Sequence, residues 1–372
     1  MRHALCVTAL LAAVVAALAG AVPDPGWLYV APGRALALPA DHASHPDFRL
    51  EWWYYTGNLD AADGRRFGYQ LTFFRIGIER QPVNPSAWTV RDLYMAHFAL
   101  TDVGRGTFHA SEALSRQGIG WAGARTDTYS VWNSGWTARI DGGVHRLEAA
   151  DRATGSRLSL ALEEGKPAAL NGSLGFSQKG QDIGNASFYY SLTRMPTRGT
   201  ITIDRQQIEV RGSSWMDHEF GTSLLEQGQT GWDWFSLQLD DGTDVMLYRL
   251  RRTDGSMDPH SSGTLSERDG RTQPLDLNRT VFTPGATWRS PATSATYPVA
   301  WRVSVPSASL DLVVSAVVDG QELAGLPSGV AYWEGAIDVS GTRAGHAVRG
   351  RGYLEMTGYA GRALGDVLNG GR

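Results

Sequence analysis

Apolar and polar residues alternate at every second position in several stretches of this chain, including residues 94–100, 201–210, 299–305 and 310–318. A period of two residues is typical of β-strands whose two faces meet different surroundings. Turn signals separate these stretches, among them Asp63-Gly64, Asp241-Gly242 and Asp319-Gly320. Because no amphipathic helix pattern is evident, the sequence predicts an all-β protein built from sandwiches or barrels.

The composition supports strands and tight turns over helices. The 372 residues include 44 glycines, 13 tryptophans and 13 tyrosines, and only 19% of the residues are charged. Glycine at about 12% exceeds the usual 7% or so of soluble proteins, and aromatic residues favour strands. A chain of this length predicts two domains of roughly 150 to 200 residues each.

An internal repeat supports the two-domain interpretation. EWWYYTGNLDAADGRRFGYQLTFFR and WDWFSLQLDDGTDVMLYRL both contain an acid with tryptophans, a strand, an Asp-Gly turn, and a second strand ending in or near arginine. We align Trp53 with Trp234 and Tyr54 with Phe235, so the second module begins near Gly231. Each tryptophan is expected to close one end of an antiparallel barrel.

The first residues, MRHALCVTALLAAVVAALAGAV, predict a secretory signal peptide over residues 1–21. A signal anchor is the alternative, although the uncharged run is short for a membrane span. We therefore expect a secreted or periplasmic protein. Cleavage would remove Cys6, the single cysteine, so disulfides and cysteine chemistry are not expected in the mature chain.

The charge pattern limits the expected partners. The formal net charge is -4, and no basic run occurs within the mature chain. This argues against nucleic acid or an anionic membrane as a partner. We expect a hydrophobic small molecule as the ligand and a monomeric protein.

The strongest candidate for chemistry is GSSWMDHEFGTS, residues 212–223. In a strand, Asp217 and Glu219 would lie on one face, and His218 would lie on the other with Met216 and Phe220. Burial and a nearby Glu219 would both raise the pKa of Asp217, which would make it a proton donor at neutral pH. The alternative is a structural carboxylate that accepts backbone hydrogen bonds at the domain junction.

The segment DHASHPDFR precedes the first predicted strand and contains His42 and His45. These histidines could form a metal site with Asp217, His218 or His97, but one His-x-x-His in a loop is a weak signal, and we predict no metal. Asp41 and Asp47 are instead expected to satisfy the loop backbone. Glu51 is expected to pair with an arginine such as Arg75 across the sheet.

Other common sites have no sequence signal here. There is no Gly-x-Ser-x-Gly motif, and no glycine-rich loop opens a helix, so neither a nucleophilic serine nor a nucleotide cofactor is predicted. We predict no cofactor of any kind. Lys166 and Lys179 are expected to be solvated and to have no catalytic role.

Several long motifs resemble the AttH-like family, also called the lipocalin-like carotenoid hydratase (hydroxyneurosporene synthase) family. They are DHASHPDFRLEWWYYTGNL, KPAALNGSLGFSQKG with NASFYYSLTR, SSWMDHEFGTS, and YWEGAIDVSG with GRGYLEMTGY. The resemblance implies two tandem lipocalin-like antiparallel β-barrels, which we place at residues 24–223 and 224–362, with a tail at 363–372. It also implies an association with membrane export machinery, because some members are encoded beside exporters.

The resemblance further implies hydration of a C=C bond, in which an acid protonates the alkene and water captures the carbocation. Asp217 would be the donor, assisted by His218. The ligand-contacting residues would be Trp53, Tyr55, His42, His45, Tyr190, Trp215 and Glu219. The carotenoid enzymes carry a tryptophan where this chain has Phe220, and a Tyr-x-Asp where it has Tyr248-Arg249-Leu250. A hydrolase acting on a hydrophobic substrate is the second reaction type left open. The alternative function is a non-catalytic lipid or isoprenoid carrier or chaperone that uses the same cavity.

Overall fold

A computed structural model describes residues 26–84, 86, 88–182, 184–222 and 225–360. The predicted signal peptide, the predicted domain junction between residues 223 and 224, and the predicted tail lie outside the described residues. Within the described part nearly all regular structure is β-strand, which confirms the predicted fold class. Most residues of the alternating stretches named above fall on strands.

The first sheet is an antiparallel sheet of thirteen strands over the described residues, and eleven of them follow the order β4-β3-β2-β1-β13-β12-β9-β8-β7-β6-β5. The short strands β10 and β11 both pair with β12. The strands are β1 (Leu50–Ala61), β2 (Arg66–Gly77), β3 (Asp92–Asp102), β4 (Thr107–Arg116), β5 (Ala122–Ala124), β6 (Ser130–Asn133), β7 (Trp136–Asp141), β8 (Val144–Ala150), β9 (Arg157–Leu162), β10 (Ala169–Leu170), β11 (Phe176–Gln178), β12 (Ala186–Ile203) and β13 (Gln206–Gly221).

This sheet curls into a nearly closed barrel. Its two ends are joined through Asn133 of β6, whose side-chain amide donates to the carbonyl of Tyr94 on β3 at 3.0 Å and to the carbonyl of Ala113 on β4 at 2.8 Å. The interior is filled by a buried cluster that includes Trp53, Leu71 and many other apolar side chains from all around the sheet. Burial of this interior is the main favourable contribution to the stability of the barrel.

The second sheet has ten strands over the described residues and forms a half-barrel in the order β17-β16-β15-β14-β25-β24-β22-β21-β18, with β23 on β24. A separate hairpin pairs β19 with β20. The strands are β14 (Gln229–Leu239), β15 (Asp244–Arg252), β16 (Ser262–Ser266), β17 (Thr272–Leu275), β18 (Val281–Pro284), β19 (Thr287–Arg289), β20 (Thr296–Pro298), β21 (Ala300–Val305), β22 (Leu310–Ala316), β23 (Glu322–Leu323), β24 (Tyr332–Arg343) and β25 (His346–Met356).

The helical segments are three short 3-10 turns among the described residues, Ala40–His42, Leu277–Arg279 and Pro306–Ala308. None of the described helices combines the length and the apolar character that crossing a lipid bilayer requires.

The outer face of the first barrel packs against the second sheet. Asn58 of β1 donates to the carbonyl of Gly352 on β25 at 3.1 Å, and the hydroxyl of Tyr332 on β24 is hydrogen-bonded to His97 at 2.7 Å. Gly68 of β2 permits this close approach, because a Cβ there would lie 2.8 Å from the Cβ of Ala336. Two buried clusters of apolar side chains fill the space between the sheets.

The repeat is visible in the fold, but our alignment of it is wrong by one residue. Trp53 points into the interior of the barrel formed by the first sheet. Trp234 points away from the interior of the half-barrel formed by the second sheet and lies in the space between the two sheets. Phe235, the next residue, packs in the interior of the half-barrel formed by the second sheet. Since successive strand residues face opposite sides, a shift of one position exchanges the two faces. Trp53 and Phe235 therefore both face a barrel interior. Trp234 faces the other side of its sheet and does not close a barrel end.

A buried ion cluster also joins the two sheets. Asp244, at the start of β15, accepts hydrogen bonds from Thr193 of β12 at 2.8 Å and forms ion pairs with Arg194 at 2.6 Å and with Lys166 at 2.7 Å. The expectation that Lys166 is solvated is wrong, because its side chain is buried and its ammonium group contacts the carboxylate of Asp244 in the second sheet. The carboxylate of Asp244 and the ammonium group of Lys166 are both removed from water and stabilise each other.

We predict that Asp244→Ala lowers the free energy of unfolding by about 3–5 kcal/mol, because it leaves the buried ammonium group of Lys166 without its carboxylate. The matched control is Asp311→Ala, which breaks the exposed pair with Arg302 at 2.6 Å and should change the stability much less. Urea denaturation of the three proteins followed by tryptophan fluorescence measures the difference. Equal losses in the two variants would contradict the importance of this contact between the sheets.

Candidate functional site

The two faces of β13 carry two different clusters. In the pairing of β13 with β1, Asp217 lies opposite Tyr54, His218 opposite Trp53, and Glu219 opposite Trp52. The side chains of Asp217 and Glu219 face the second sheet, while His218 faces the barrel interior with Trp53. This confirms the prediction that the two carboxylates share a face and that the imidazole lies on the other.

The carboxylate face lines a cavity between the two sheets. The cavity is partly open to solvent, and the centres of water-sized molecules have about 70 Å³ within it. Its walls are mostly aromatic or apolar, and they include Asp217 and further ionisable side chains. The lining residues are Trp52, Tyr54, Gln70, Phe74, Lys179, Tyr189, Asp217, Glu219, Leu225, Trp232, Trp234, Tyr248, Leu250 and Glu355. An apolar cavity with a few convergent polar groups is the usual form of a small-molecule site.

Asp217 is the most densely hydrogen-bonded carboxyl group in the cavity. Its oxygens accept from the hydroxyl of Tyr189, from Ser191 Oγ at 2.5 Å and from Trp215 Nε1 at 2.6 Å. Burial raises the pKa of Asp217 to about 7, although these hydrogen bonds oppose the rise. The group can therefore give or take a proton near neutral pH.

Glu219 forms a buried ion pair beside Asp217. Its carboxylate accepts from Ser187 and lies 3.1 Å from Lys179 Nζ. The expectation that Lys179 is solvated is wrong, since its side chain is buried and its ammonium group lies 3.9 Å from the ring centroid of Tyr248. Burial opposes the charge on Lys179, but the carboxylate of Glu219 raises the pKa of Lys179 above its ordinary value. The negative charge of Glu219 also helps to raise the pKa of Asp217.

Our sequence analysis missed two acidic residues at this site. Burial raises the pKa of Glu355, on β25, to about 8. Glu334, on β24, accepts a hydrogen bond from Tyr54 at 2.7 Å, and burial raises its pKa well above the ordinary range. For Glu355, the sequence contains a signal that could have indicated the site, namely a single acid within the apolar stretch Tyr353-Leu354-Glu355-Met356. The sequence does not show, however, that this strand packs against the first barrel.

His218 lies in a separate cluster inside the barrel. Burial lowers the pKa of His218 to about 4, so the imidazole is neutral at neutral pH. Its Nε2–H donates to Glu51 at 3.1 Å, which leaves Nδ1 to accept from the hydroxyl of Tyr190 at 3.1 Å. The sheet separates the side chains of His218 and Asp217, so the two do not contact each other, and the assisting role of His218 stays a prediction.

The predicted ligand-contacting residues divide between the two faces of the sheet. Trp215 and Glu219 contact the cavity side, where Trp215 donates to Asp217. The others lie inside the barrel or at its mouth. These residues are Trp53, Tyr55, His42, His45 and Tyr190. Binding of a ligand by any of these residues stays a prediction.

The loop before β1 is held by a buried ionic network around Glu51. Glu51 pairs with Arg75 at 3.0 Å, as predicted, and also accepts from His45 at 2.9 Å. His42 instead contacts Tyr190, with 2.6 Å between Nδ1 and the hydroxyl. The two histidines of the His-x-x-His pattern thus belong to different clusters and do not converge on one metal position.

Comparison with known proteins gives a consistent result. A family model described as AttH-like matches residues 29–359. A crystal structure of an AttH candidate from Nitrosomonas europaea is similar with a TM-score of 0.80 and 34% sequence identity, and the match covers 90% of this chain and 100% of that chain.

Two further comparisons, both with kievitone hydratase, show lower similarity. The kievitone hydratase of Fusarium solani subsp. phaseoli is 22% identical over 191 residues, which are 50% of this chain and 52% of that protein. The match thus spans about half the length of this curated relative. A crystal structure of kievitone hydratase from Nectria haematococca has the same fold, with a TM-score of 0.68, 15% identity, and coverage of 89% of this chain and 95% of that chain.

The burial of Asp217 predicts a pH-dependent stability. Because its pKa in the folded protein, about 7, lies above its ordinary value of 3.8, its contribution is complete below 3.8 and is lost as the pH rises through 7. That rise in pKa corresponds to roughly 4 kcal/mol. Asp217→Asn carries no charge, so its melting temperature relative to the wild type should increase between pH 4 and pH 8.

Differential scanning calorimetry across this pH range measures the effect. The control is Asp311→Asn, which alters a carboxylate at the protein surface and should show no such trend. A difference between Asp217→Asn and the wild type that does not vary with pH would show that Asp217 is not a raised-pKa acid.

Proposed function

Because the chain belongs to the AttH-like family, we propose that it is a hydratase-type enzyme that adds water to a C=C bond of an isoprenoid or similar apolar molecule. The reaction would take place in the cavity between the two sheets. The observation that carries this proposal is Asp217, a buried acid with a pKa of about 7 in a cavity with aromatic walls. Alkene hydration requires a general acid that is still protonated near the operating pH and is kept out of bulk water.

Asp217 would donate its proton to one alkene carbon. As the proton leaves, negative charge develops on the carboxylate, and the hydrogen bonds from Tyr189, Ser191 and Trp215 stabilise that charge. These donors are fixed before the reaction, since Trp234 Nε1 in turn donates to Tyr189 at 3.0 Å. These hydrogen bonds therefore stabilise the ionised carboxylate of Asp217 that remains after the proton has been transferred.

The other alkene carbon would become a tertiary carbocation. The aromatic residues Trp52, Tyr54 and Trp234 line the same cavity, and an aromatic face attracts a cation within about 6 Å of the ring. Lys179 would repel a carbocation, but its pairing with Glu219 at 3.1 Å largely cancels its charge. The cavity is therefore close to neutral while remaining able to stabilise a positive charge.

Water would then attack the carbocation and release a proton. We assign the positioning of this water to Glu355, the second acid with a raised pKa in the cavity. The proton lost by the water replaces the one that Asp217 gave to carbon, so the enzyme returns to its starting state. Tyr248 and Leu250, at the Tyr-x-Asp position of the carotenoid enzymes, also line this cavity. Leucine there supplies no acid, which supports a role for Glu355 in this chain.

We also propose that the protein is exported and acts on its ligand outside the cytoplasm, because its first residues have the form of a signal peptide. Association with membrane export machinery is part of the same proposal. N-terminal sequencing of protein recovered from the periplasm of a bacterial expression host should show a start near residue 22, and an intact N-terminus would contradict cleavage.

The first experiment tests turnover with defined alkenes. Kievitone and geraniol are suitable probes because both carry a prenyl-type double bond, and incorporation of one water in H₂¹⁸O is measured by mass spectrometry. We expect Asp217→Asn to lower kcat by about 10²–10⁴-fold, the usual contribution of a general acid. Glu355→Gln should also lower kcat, whereas the control Asp311→Asn should be unchanged.

Ligand binding separates the enzyme from the carrier alternative. Quenching of cavity tryptophan fluorescence by the same probes should be similar for the wild type and for Asp217→Asn. Binding with no water incorporation by the wild type would contradict the hydratase proposal for these alkenes and support a carrier. Turnover that persists in Asp217→Asn would exclude Asp217 as the acid.

The pH dependence of turnover provides a further prediction. If Asp217 must be protonated, kcat should fall as the pH rises through about 7. Glu219→Gln removes a negative charge that raises the pKa of Asp217, so the midpoint of this fall should move to lower pH. A midpoint that does not move, in a Glu219→Gln protein with a normal melting curve, would contradict the electrostatic coupling of the two groups.

A further inference from the structure

A second group of ionisable side chains lies at the end of the first barrel, on the other side of the sheet from the cavity. It consists of His42, His145 and Glu164, which come from the 3-10 turn before β1, from β8, and from the loop after β9. We propose that these residues form a binding site for a divalent transition metal ion of the zinc class. This site is independent of the proposed hydration chemistry.

The three ligand atoms already have the spacing of a coordination site. Glu164 Oε1 lies 3.5 Å from His42 Nε2 and 3.3 Å from His145 Nε2, and all three atoms lie within 4.8 Å of one another. Tetrahedral zinc with bonds of about 2.0–2.1 Å places neighbouring ligand atoms about 3.4 Å apart. An ion can therefore enter with small adjustments of the side chains.

Each histidine is also oriented by a buried tyrosine. Nδ1 of His42 lies 2.6 Å from the hydroxyl of Tyr190, and Nδ1 of His145 lies 2.9 Å from the hydroxyl of Tyr55. Tyr55 is in turn hydrogen-bonded to Tyr129 at 2.7 Å. Metal-binding histidines characteristically use the second ring nitrogen in this way, which fixes the ring and directs the other nitrogen at the ion.

The hydrogen-bond chain determines which nitrogen of His42 is free. Neutral His218 gives its Nε2–H to Glu51, so its Nδ1 accepts the proton of Tyr190. The oxygen of Tyr190 must then accept from Nδ1–H of His42. His42 Nε2 is then the ring nitrogen on the side of Glu164, 3.5 Å from its carboxylate.

A cation between the histidine nitrogens and the Glu164 carboxylate would accept a lone pair from each ligand atom. His42 and His145 are buried, whereas the Glu164 side chain is 40% exposed, so an ion can reach the site from solvent. Three protein ligands also leave a fourth position for water or a ligand oxygen.

Two other groups of potential ligands are less suitable. His45, Glu51 and His218 lie close together, but Glu51 already pairs with the buried guanidinium of Arg75 at 3.0 Å, which would repel a metal ion. The second group is Glu226, Asp258 and His260, in which Asp258 pairs with Arg252 at 2.8 Å. In contrast, within the part of the chain that the structure describes, the ion-pair partners of Glu164 are only the two histidines.

The test is metal binding by the purified full-length protein after dialysis against a chelator. Zn²⁺ is titrated in competition with a chromophoric chelator, and Co²⁺ is used to report the coordination geometry by visible absorption. We expect about one Zn²⁺ per chain and a higher melting temperature in the presence of Zn²⁺, because ligand binding to the folded state stabilises it. Glu164→Gln and His145→Gln should each weaken Zn²⁺ binding by at least about tenfold and remove the increase in melting temperature.

Matched controls distinguish this site from the other two groups. His45→Gln and His260→Gln each remove one potential ligand of another group and should bind Zn²⁺ like the wild type. Tyr55→Phe should weaken binding about 10–100-fold without removing any ligand, because it leaves His145 less well oriented. Since Glu164 is partly exposed, Glu164→Gln should fold normally. If a variant at a buried position does not fold, Zn²⁺ binding by Glu164→Gln decides whether the site exists.

Several outcomes would overturn the proposal. These are the absence of Zn²⁺ or Co²⁺ binding to the wild type, unchanged binding in Glu164→Gln, or loss of binding in His45→Gln or His260→Gln alone. None of these outcomes bears on Asp217, so the hydratase proposal is tested separately.

Discussion

The alternation of side chains along β13 is the constraint on which the cavity between the sheets and the ionic cluster inside the barrel depend. Asp217 and Glu219 face the second sheet, and His218, between them in the chain, faces the interior of the barrel. Because both faces of the strand are buried over residues 215–221, each ionisable group there needs a partner away from water. Lys179 and the donors to Asp217 supply these partners on one face, while Glu51 and Tyr190 supply them on the other.

The second sheet creates the environment of Asp217. Without it, this part of the outer face of β13 would be in contact with water, and the burial that raises the pKa of Asp217 would be lost. The half-barrel covers this face with Trp234, Tyr248 and Glu355, and the contact through Asp244 holds the two sheets together. The cavity is therefore a property of the two-sheet assembly and not of either barrel alone, which explains why its walls come from both halves of the chain.

The features that follow from local patterns could be predicted from the sequence. Alternation predicted the strands and the opposite faces of Asp217 and His218, and the pairing of Glu51 with Arg75 follows from neighbouring strands. Features that depend on which surfaces meet could not be predicted. The repeat alignment failed by one residue at Trp53 and Trp234, the burial of Lys179 depends on a distant sheet, and Glu355 joins Asp217 only through packing of the two halves. His145 and Glu164 likewise meet His42 only because the barrel closes.

The most direct test of the central claim is the protonation state of Asp217 itself, measured without any substrate. Infrared difference spectroscopy of protein labelled with ¹³C at the carboxyl groups of aspartate reports protonated and ionised forms separately. The account predicts a protonated aspartate signal at pH 6 that disappears with a midpoint near pH 7 and is absent in Asp217→Asn. If the wild-type signal disappears near the ordinary aspartate pKa of about 4, or is unchanged in Asp217→Asn, then the cavity does not hold Asp217 as a neutral acid.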